Sequence, residues 1–297
     1  MSLYNKILVP LDGSTLSEGV LPYVRSMARA FHLSVELLRV NDPAQQSAQL
    51  PAVNVAEYLE RIAASLSGIA DVNCAVEQGY PAAVIVDRAA VQSGTLIAMA
   101  TRGYSGPQRW LLGSIAEKAL RATKSHLLLV RPTGGDTGGE ARWNTVLVPL
   151  DGSELAEKVL PTVTDLTACL KLEAVLVHVL IRFYFGLPDT LLPVFGGNFP
   201  NQPELWAEVS ADASRYLSEK VEQLRATGLP RVSSLLIEEG AEGAAAAIIE
   251  LARKTADNLL IMSTHGRSGM RRWLLGSVTQ RVVRHTSDPV IVIPPQS

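Results

Sequence analysis

Two motifs occur twice in this chain, in the same order. Val9-Pro10-Leu11-Asp12-Gly13-Ser14 returns as Val148-Pro149-Leu150-Asp151-Gly152-Ser153, and Trp110-Leu111-Leu112-Gly113-Ser114 returns as Trp273-Leu274-Leu275-Gly276-Ser277. A pair of spaced motifs repeated in order implies a duplicated domain. The 297 residues then divide into copies of about 140–150 residues, each large enough for its own core. The expected domains are 1–133 and 143–297. The joint between them, 134–142, holds Gly134, Gly135, Gly138 and Gly139 and reads as a flexible linker.

Each copy alternates short apolar runs with helical patterns. Residues 6–11 read as a buried strand running into a turn. Val20, Val24, Met27 and Phe31 then recur at helical spacing, as do Val159, Val163, Leu166 and Leu170. Further strands are expected at 33–40, 72–77, 95–101 and Leu127–Val130, with twins at 172–180, 232–238, 258–264 and Val290–Ile293. Helices are expected at 81–91 and 115–122, with twins at 242–254 and 278–285. The runs 95–101 and 258–264 are almost wholly apolar, the pattern of central strands covered on both faces. Such alternation makes an α/β fold, with a doubly wound parallel sheet in each copy. The last strands, Leu127–Val130 and Val290–Ile293, are edges. Pairing them hides open backbone groups and makes an intramolecular pseudo-dimer, with a further homodimer left open.

The offset between the copies is 139 from Asp12 to Asp151 and 161 from Gly79 to Gly240, so the second copy has 22 extra residues between strands two and three. Most fall in 181–204, with Phe183, Tyr184, Phe185, Phe195 and Phe199, and an aromatic insert of this kind is expected to cover apolar surface of its own domain.

Composition excludes several classes of function. A net charge of −2 gives no electrostatic case for nucleic acid or an anionic membrane. No stretch approaches the roughly 20 apolar residues of a membrane span. Cys74 and Cys169 are isolated and non-equivalent between the copies, which points to buried, reduced thiols in a cytoplasmic protein. His265 has no second His or Cys at ligand spacing, so no metal site is expected there.

The chemistry gathers after strand four. Ala100-Thr101-Arg102-Gly103 is followed, nine residues on, by Gly113-Ser114 and a helix beginning near Ile115; Ser263-Thr264-His265-Gly266 is followed likewise by Gly276-Ser277 and Val278. Gly103 and Gly266 let a ligand lie against the backbone. A Gly-Ser pair at a helix start offers N–H groups and a hydroxyl to an anion, and the helix dipole adds about 0.3–1 kcal/mol. Blander readings stand beside these. Ser114 and Ser277 could cap their helices, and Asp12-Gly13-Ser14 could be a turn and cap alone. Arg102, Arg109, His265, Arg267, Arg271 and Arg272 are solvated charge by default, with Arg267 the first candidate for a phosphate partner.

These residues resemble the universal stress protein family in its tandem form, whose nucleotide pattern is G-x2-G-x9-G-[S/T]. Both copies match the second Gly, the spacing and the terminal Gly-Ser. Both depart at the first Gly, which is Ala100 in one and Ser263 in the other. The resemblance implies an adenine nucleotide alpha hydrolase-like fold: two five-stranded parallel sheets of order 3-2-1-4-5. In that order the chain reverses between strands one and four, and open α/β sheets bind ligands at such a switch point, beyond the carboxyl ends of the strands. The implied ligand is ATP, or ADP or AMP, with or without Mg. Pro10, Asp12 and Val40, and their twins Pro149, Asp151 and Val179, are the implied contacts to adenine and ribose. Gly103, Gly113 and Ser114 are the implied phosphate contacts in the first copy, with Ala100, Gly106 and Ile115 as further implied nucleotide contacts. Their partners in the second are Ser263, Gly266, Arg267, Gly269, Gly276, Ser277 and Val278. The implied role is in stress response or signalling.

Two other readings remain. An enzyme is disfavoured by the lack of a Walker lysine motif and of an acid–base couple with a clear task, which leaves at most slow ATP hydrolysis. A ligand-independent interaction module is kept open by Ala100 and Ser263. The segment His265-Gly266-Arg267-Ser268-Gly269 is more basic than Arg102-Gly103-Tyr104-Ser105-Gly106-Pro107, and Pro107 lacks an N–H donor. The second crevice is therefore expected to bind more tightly.

Overall fold

The computed structural model describes residues 3–43, 55–103, 112–132, 137–181, 202–239, 242–264 and 275–295. The first copy runs β1 (Lys6–Pro10), α1 (Thr15–Glu18), α2 (Leu21–Phe31), β2 (Ser34–Asn41), α3 (Val55–Ser65), β3 (Val72–Gln78), α4 (Pro81–Ala90), β4 (Thr95–Ala100), α5 (Ser114–Ala122) and β5 (Leu127–Val130). The second repeats it as β6 (Thr145–Pro149), α6 (Glu154–Glu157), α7 (Leu160–Leu170), β7 (Glu173–Ile181), α8 (Gln202–Ala226), β8 (Val232–Glu239), α9 (Ala244–Lys254), β9 (Asn258–Ser263), α10 (Ser277–His285) and β10 (Val290–Ile293).

The strands form one ten-stranded sheet of order β3-β2-β1-β4-β5-β10-β9-β6-β7-β8. Within each copy the order is 3-2-1-4-5 and every pairing is parallel. At the centre β5 and β10 pair antiparallel, with Ile291 opposite Leu128. The seam is reinforced by Arg131, which donates to the Arg284 carbonyl, and by an ion pair from Arg284 to Glu117 at 3.2 Å.

Two apolar layers sandwich the sheet. Val24, Met27, Leu59 and Ile62 from α2 and α3, with Val163, Leu166, Leu217 and Val221 from α7 and α8, pack on one face. Ile85, Ala116 and Leu120 from α4 and α5, with Ile248, Val282 and Val283 from α9 and α10, pack on the other. Covering both faces explains why β4 and β5 are buried at every position. Each large side chain so removed from water contributes about 1.5–3 kcal/mol. Both copies end their second helix with a left-handed residue that is not glycine, His32 (φ 53°) and Lys171 (φ 58°), at equivalent positions.

Several expectations need correcting. Both cysteines are exposed, not buried: Cys74 lies on the outermost strand β3, which has no neighbour on one side, and Cys169 on the outer surface of α7. The described part of the linker is pinned. Arg25, only 4% exposed, donates to the carbonyls of Thr137 and Gly139, the latter at 3.1 Å. The Ala141 N–H donates to Pro22 O at 3.0 Å, and Ser26 Oγ donates to Ala141 O at 2.8 Å. Glycine content signalled freedom, but a buried guanidinium captures the carbonyls. The extra length of the second copy is partly helix, since α8 has 25 residues where α3 has 11. The aromatic residues Phe183, Tyr184, Phe185, Phe195 and Phe199 lie outside the described residues.

One feature belongs to the first copy alone. Lys6 and Arg88 both bond the Glu36 carboxylate, at 2.7 and 2.6 Å, and Arg88 also reaches Glu77 at 2.9 Å. Burial pushes the Glu36 carboxyl up, but its two cationic partners leave it net below the ordinary carboxylate range. The equivalent positions of the second copy hold Thr145, Val175 and Leu251 in place of Lys6, Glu36 and Arg88.

Candidate functional site

β1 and β4 are hydrogen-bonded neighbours from Lys6↔Thr95 onward, so both chains leave the sheet side by side at its carboxyl end. β6 and β9 do the same in the second copy. The switch point is therefore built twice, and Asp12 and Asp151 stand just beyond β1 and β6.

Each aspartate organises a tight turn. Asp12 Oδ1 accepts from the Ser14 N–H at 2.9 Å and from Ser14 Oγ at 2.5 Å; Asp151 Oδ1 accepts from the Ser153 N–H at 3.0 Å and Ser153 Oγ at 2.6 Å. Between them Gly13 (φ +84°) and Gly152 (φ +82°) take a left-handed conformation that side chains disfavour. Ser14 and Ser153 then cap α1 and α6 by accepting from Ser17 N and Ala156 N. The turn-and-cap reading is thus correct as far as it goes.

The other carboxylate oxygen does more. Asp12 Oδ2 lies so close to Gly103 that a Cβ there would collide with it. Residues 91 positions apart in the chain thereby meet across the switch point, one from each strand end. Gly113 is equally confined, since a Cβ there would stand 3.0 Å from the Thr101 carbonyl oxygen.

The helix starts differ from expectation in detail. The Gly113 and Gly276 N–H groups point back into the fold and donate to Thr101 O (2.8 Å) and Thr264 O (2.7 Å). They are not offered to a ligand. These glycines occupy the N-cap positions of α5 and α10, and no side chain caps either helix, so Ser114 and Ser277 are first-turn residues rather than caps. The N–H groups left without intrahelical acceptors are those of the first turn, from Ser114, Ile115 and Ala116 and from Ser277, Val278 and Thr279.

Of the other candidates, Pro10 and Pro149 close β1 and β6, and Ala100 and Ser263 close β4 and β9. Val40 and Val179 lie near the ends of β2 and β7 and pack, with Ile115 and Val278, on the layer beneath α5 and α10. Gly106, Gly266, Arg267 and Gly269 lie outside the described residues, as do Arg109, His265, Arg271, Arg272 and both motif tryptophans.

Three features of the site were not read from the sequence. Thr101 and Thr264 are buried at the point where strand and helix are tied together, and Thr101 Oγ1 has no partner among the described residues. At the end of β2 stands Arg39, whereas the equivalent residue of β7 is His178, bonded through Nδ1 to Leu150 O at 2.8 Å. On α8, Trp206 donates its indole N–H to Glu238 at 3.1 Å, beside the end of β8. The repeat could have exposed the Arg39/His178 difference, because an alignment of the copies sets them opposite one another.

Comparison with known proteins agrees with this geometry. The profile described as "Universal stress protein family" matches residues 3–131 and 142–294. A universal stress protein of Methanocaldococcus jannaschii is 29% identical over 142 residues, covering 44% of this chain and 84% of that one. One from Mycolicibacterium smegmatis is 25% identical over 207 residues, covering 70% of this chain and 64% of that one. Among solved structures, a universal stress protein from Archaeoglobus fulgidus aligns over 99% of both chains at 20% identity with a TM-score of 0.66. A functionally unknown protein from Pseudomonas aeruginosa aligns over 98% of this chain and 93% of that one, at 14% identity and a TM-score of 0.68. At these identities the two structures speak to the fold.

Proposed function

The chain belongs to the universal stress protein family, and from that premise we propose that it binds an adenine nucleotide, ATP, ADP or AMP, beyond the carboxyl ends of β1–β4 and β6–β9. The observation that carries this reading is the packing of the Asp12 carboxylate on Gly103, which draws the ribose-side and phosphate-side residues of the family pattern into one crevice. Asp12 and Asp151 face the sugar. The first-turn N–H groups of α5 and α10 receive phosphate, each helped by its helix dipole. Gly106, Gly266, Arg267 and Gly269, outside the described residues, are further nucleotide contacts by the family pattern.

Among the described residues no group of three His, Cys, Asp or Glu side chains gathers to hold a metal. A magnesium ion would thus arrive on the phosphates of the nucleotide. We read the chain as a binding protein rather than a fast enzyme, acting in stress response or signalling in the cytoplasm, with domains 1–133 and 143–297. In the described residues no helix is long and apolar enough to cross a membrane. The antiparallel β5–β10 pairing supports the pseudo-dimer, in which one chain supplies both halves of the assembly.

Acid extraction of the purified protein followed by nucleotide chromatography tests the reading, together with calorimetric titration of dialysed protein with ATP, with and without Mg. Recovered adenine nucleotide or saturable heat supports it. Neither, from folded protein, refutes it in favour of an interaction module that needs no ligand.

A further inference from the structure

The helix start of the first crevice lies against the seam between the two halves. Thr101 ties three segments together there. Its N–H donates to Val130 O at 2.7 Å, its carbonyl accepts from the Gly113 N–H at 2.8 Å, and Arg102 follows it in the chain. Arg131, the residue after Val130, reaches across the seam to the Arg284 carbonyl. Burial first, and the charge of Arg102 second, hold the Arg131 guanidinium below the ordinary arginine range, so the cations of this strand end act on one another.

Arg284 in turn closes on a carboxylate in the first turn of α5. Glu117 is the acidic residue of that turn, and its N–H donates to the Gly113 carbonyl at 2.9 Å. Its carboxylate is held by Arg121 of the same helix at 2.9 Å and by Arg284 of the other half at 3.2 Å. A first-turn carboxylate takes up the positive field of the helix N-terminus and repels an anion arriving there. The two guanidinium groups offset that repulsion. The second crevice is built otherwise. The residues equivalent to Glu117 and Arg131 are Gln280 and Pro294, and the first turn of α10 has no acidic residue.

We propose that the second half completes the first crevice: Arg284, by neutralising Glu117, sets how much negative charge the first turn of α5 accepts from a phosphate-bearing ligand. The inference rests on the nucleotide reading and adds to it a charge determinant supplied across the seam. The dependence runs one way, because Gln280 gives Arg121 no charge to neutralise. The side chains of Arg284 and Glu117 are 30% and 28% exposed, so the effect is modest and weakens with salt.

The test is calorimetric titration of the full chain with adenosine, AMP and ATP at low and high KCl. Wild type is compared with Arg284→Gln, Glu117→Gln and the double variant, with circular dichroism and melting to confirm that each is folded. At low salt Arg284→Gln is expected to weaken AMP about threefold and ATP about tenfold at one site. Glu117→Gln is expected to tighten both there by similar factors, and the double variant to return close to wild type. Adenosine stays unchanged throughout, and high KCl shrinks the differences. ATP affinity unmoved in both single variants overturns the inference and leaves nucleotide binding intact. Equal shifts for adenosine and ATP also overturn it, because the pair would then only hold the shape of α5. Absence of ATP binding to folded wild type refutes both the inference and the nucleotide reading.

Discussion

Gly103→Ala probes the convergence of the two motifs directly. Gly103 is not in the left-handed region, so an alanine meets no backbone strain there. Its methyl group meets the Asp12 carboxylate instead, with Cγ at 3.0 Å and Oδ2 well inside contact. The carboxylate is the far end of a side chain and can swing away. Doing so surrenders its bonds from the Ser14 N–H (2.9 Å) and Ser14 Oγ (2.5 Å). Hydrogen bonds to a charged acceptor are worth about 1.5–3 kcal/mol each at most, and partial exposure of this turn brings the combined loss to about 2–3 kcal/mol. Against this, replacing glycine stabilises by about 0.4–1 kcal/mol through the unfolded chain. The net cost is about 1–2 kcal/mol. In an Asp12→Ala background the collision is gone and only the gain remains. Urea denaturation of the four proteins in this double-mutant cycle should give a coupling of about 2 kcal/mol, with Gly103→Ala neutral or stabilising once Asp12 is absent. Equal costs in both backgrounds would show that the two residues do not meet.

Gly113→Ala should behave differently, because its Cβ meets the Thr101 carbonyl oxygen at 3.0 Å and backbone cannot rotate away. Its destabilisation in urea titration should survive unchanged in the Asp12→Ala background. Glu36→Val should cost about 3–5 kcal/mol by chemical denaturation, since it strands Lys6 and Arg88. The triple change Lys6→Thr, Glu36→Val, Arg88→Leu, which installs the second copy's residues, should recover most of that loss; failure to recover would show that the ion network is needed beyond mutual neutralisation. His126 gives a pH signature. Burial lowers its pKa from 6.5 to about 4, and its Nδ1 is hydrogen-bonded to the Tyr4 hydroxyl at 2.9 Å. The unfolded chain therefore takes up the proton first as pH falls, so stability is complete above pH 6.5 and declines toward pH 4, by about 3 kcal/mol in all. His126→Gln should flatten that part of the stability profile, and an unchanged slope would contradict the assignment.

The repeat made most of the fold legible. Strand ends at Val130 and Ile293 follow from the apolar runs, and the core face of α2 follows from Val20, Val24, Met27 and Phe31, all buried. Helix α3 went unread, although Leu59, Ile62 and Leu66 recur at helical spacing and are buried. Exposure of Cys74 depends on strand order, and strand order is a property of the assembled sheet rather than of residues around the cysteine. Capture of the linker by Arg25 was illegible for a related reason: its acceptors are backbone carbonyls, which every residue carries. The candidate site was legible as two motifs, but the spent N–H of Gly113 and the contact of the Asp12 carboxylate with Gly103 emerge only when distant strands are placed together.

Because β5 and β10 run against one another, the carboxyl margin of one half is continuous with the amino margin of the other. The two switch points accordingly lie at opposite margins of the one sheet. The seam thus makes one two-ended sheet out of two one-ended halves.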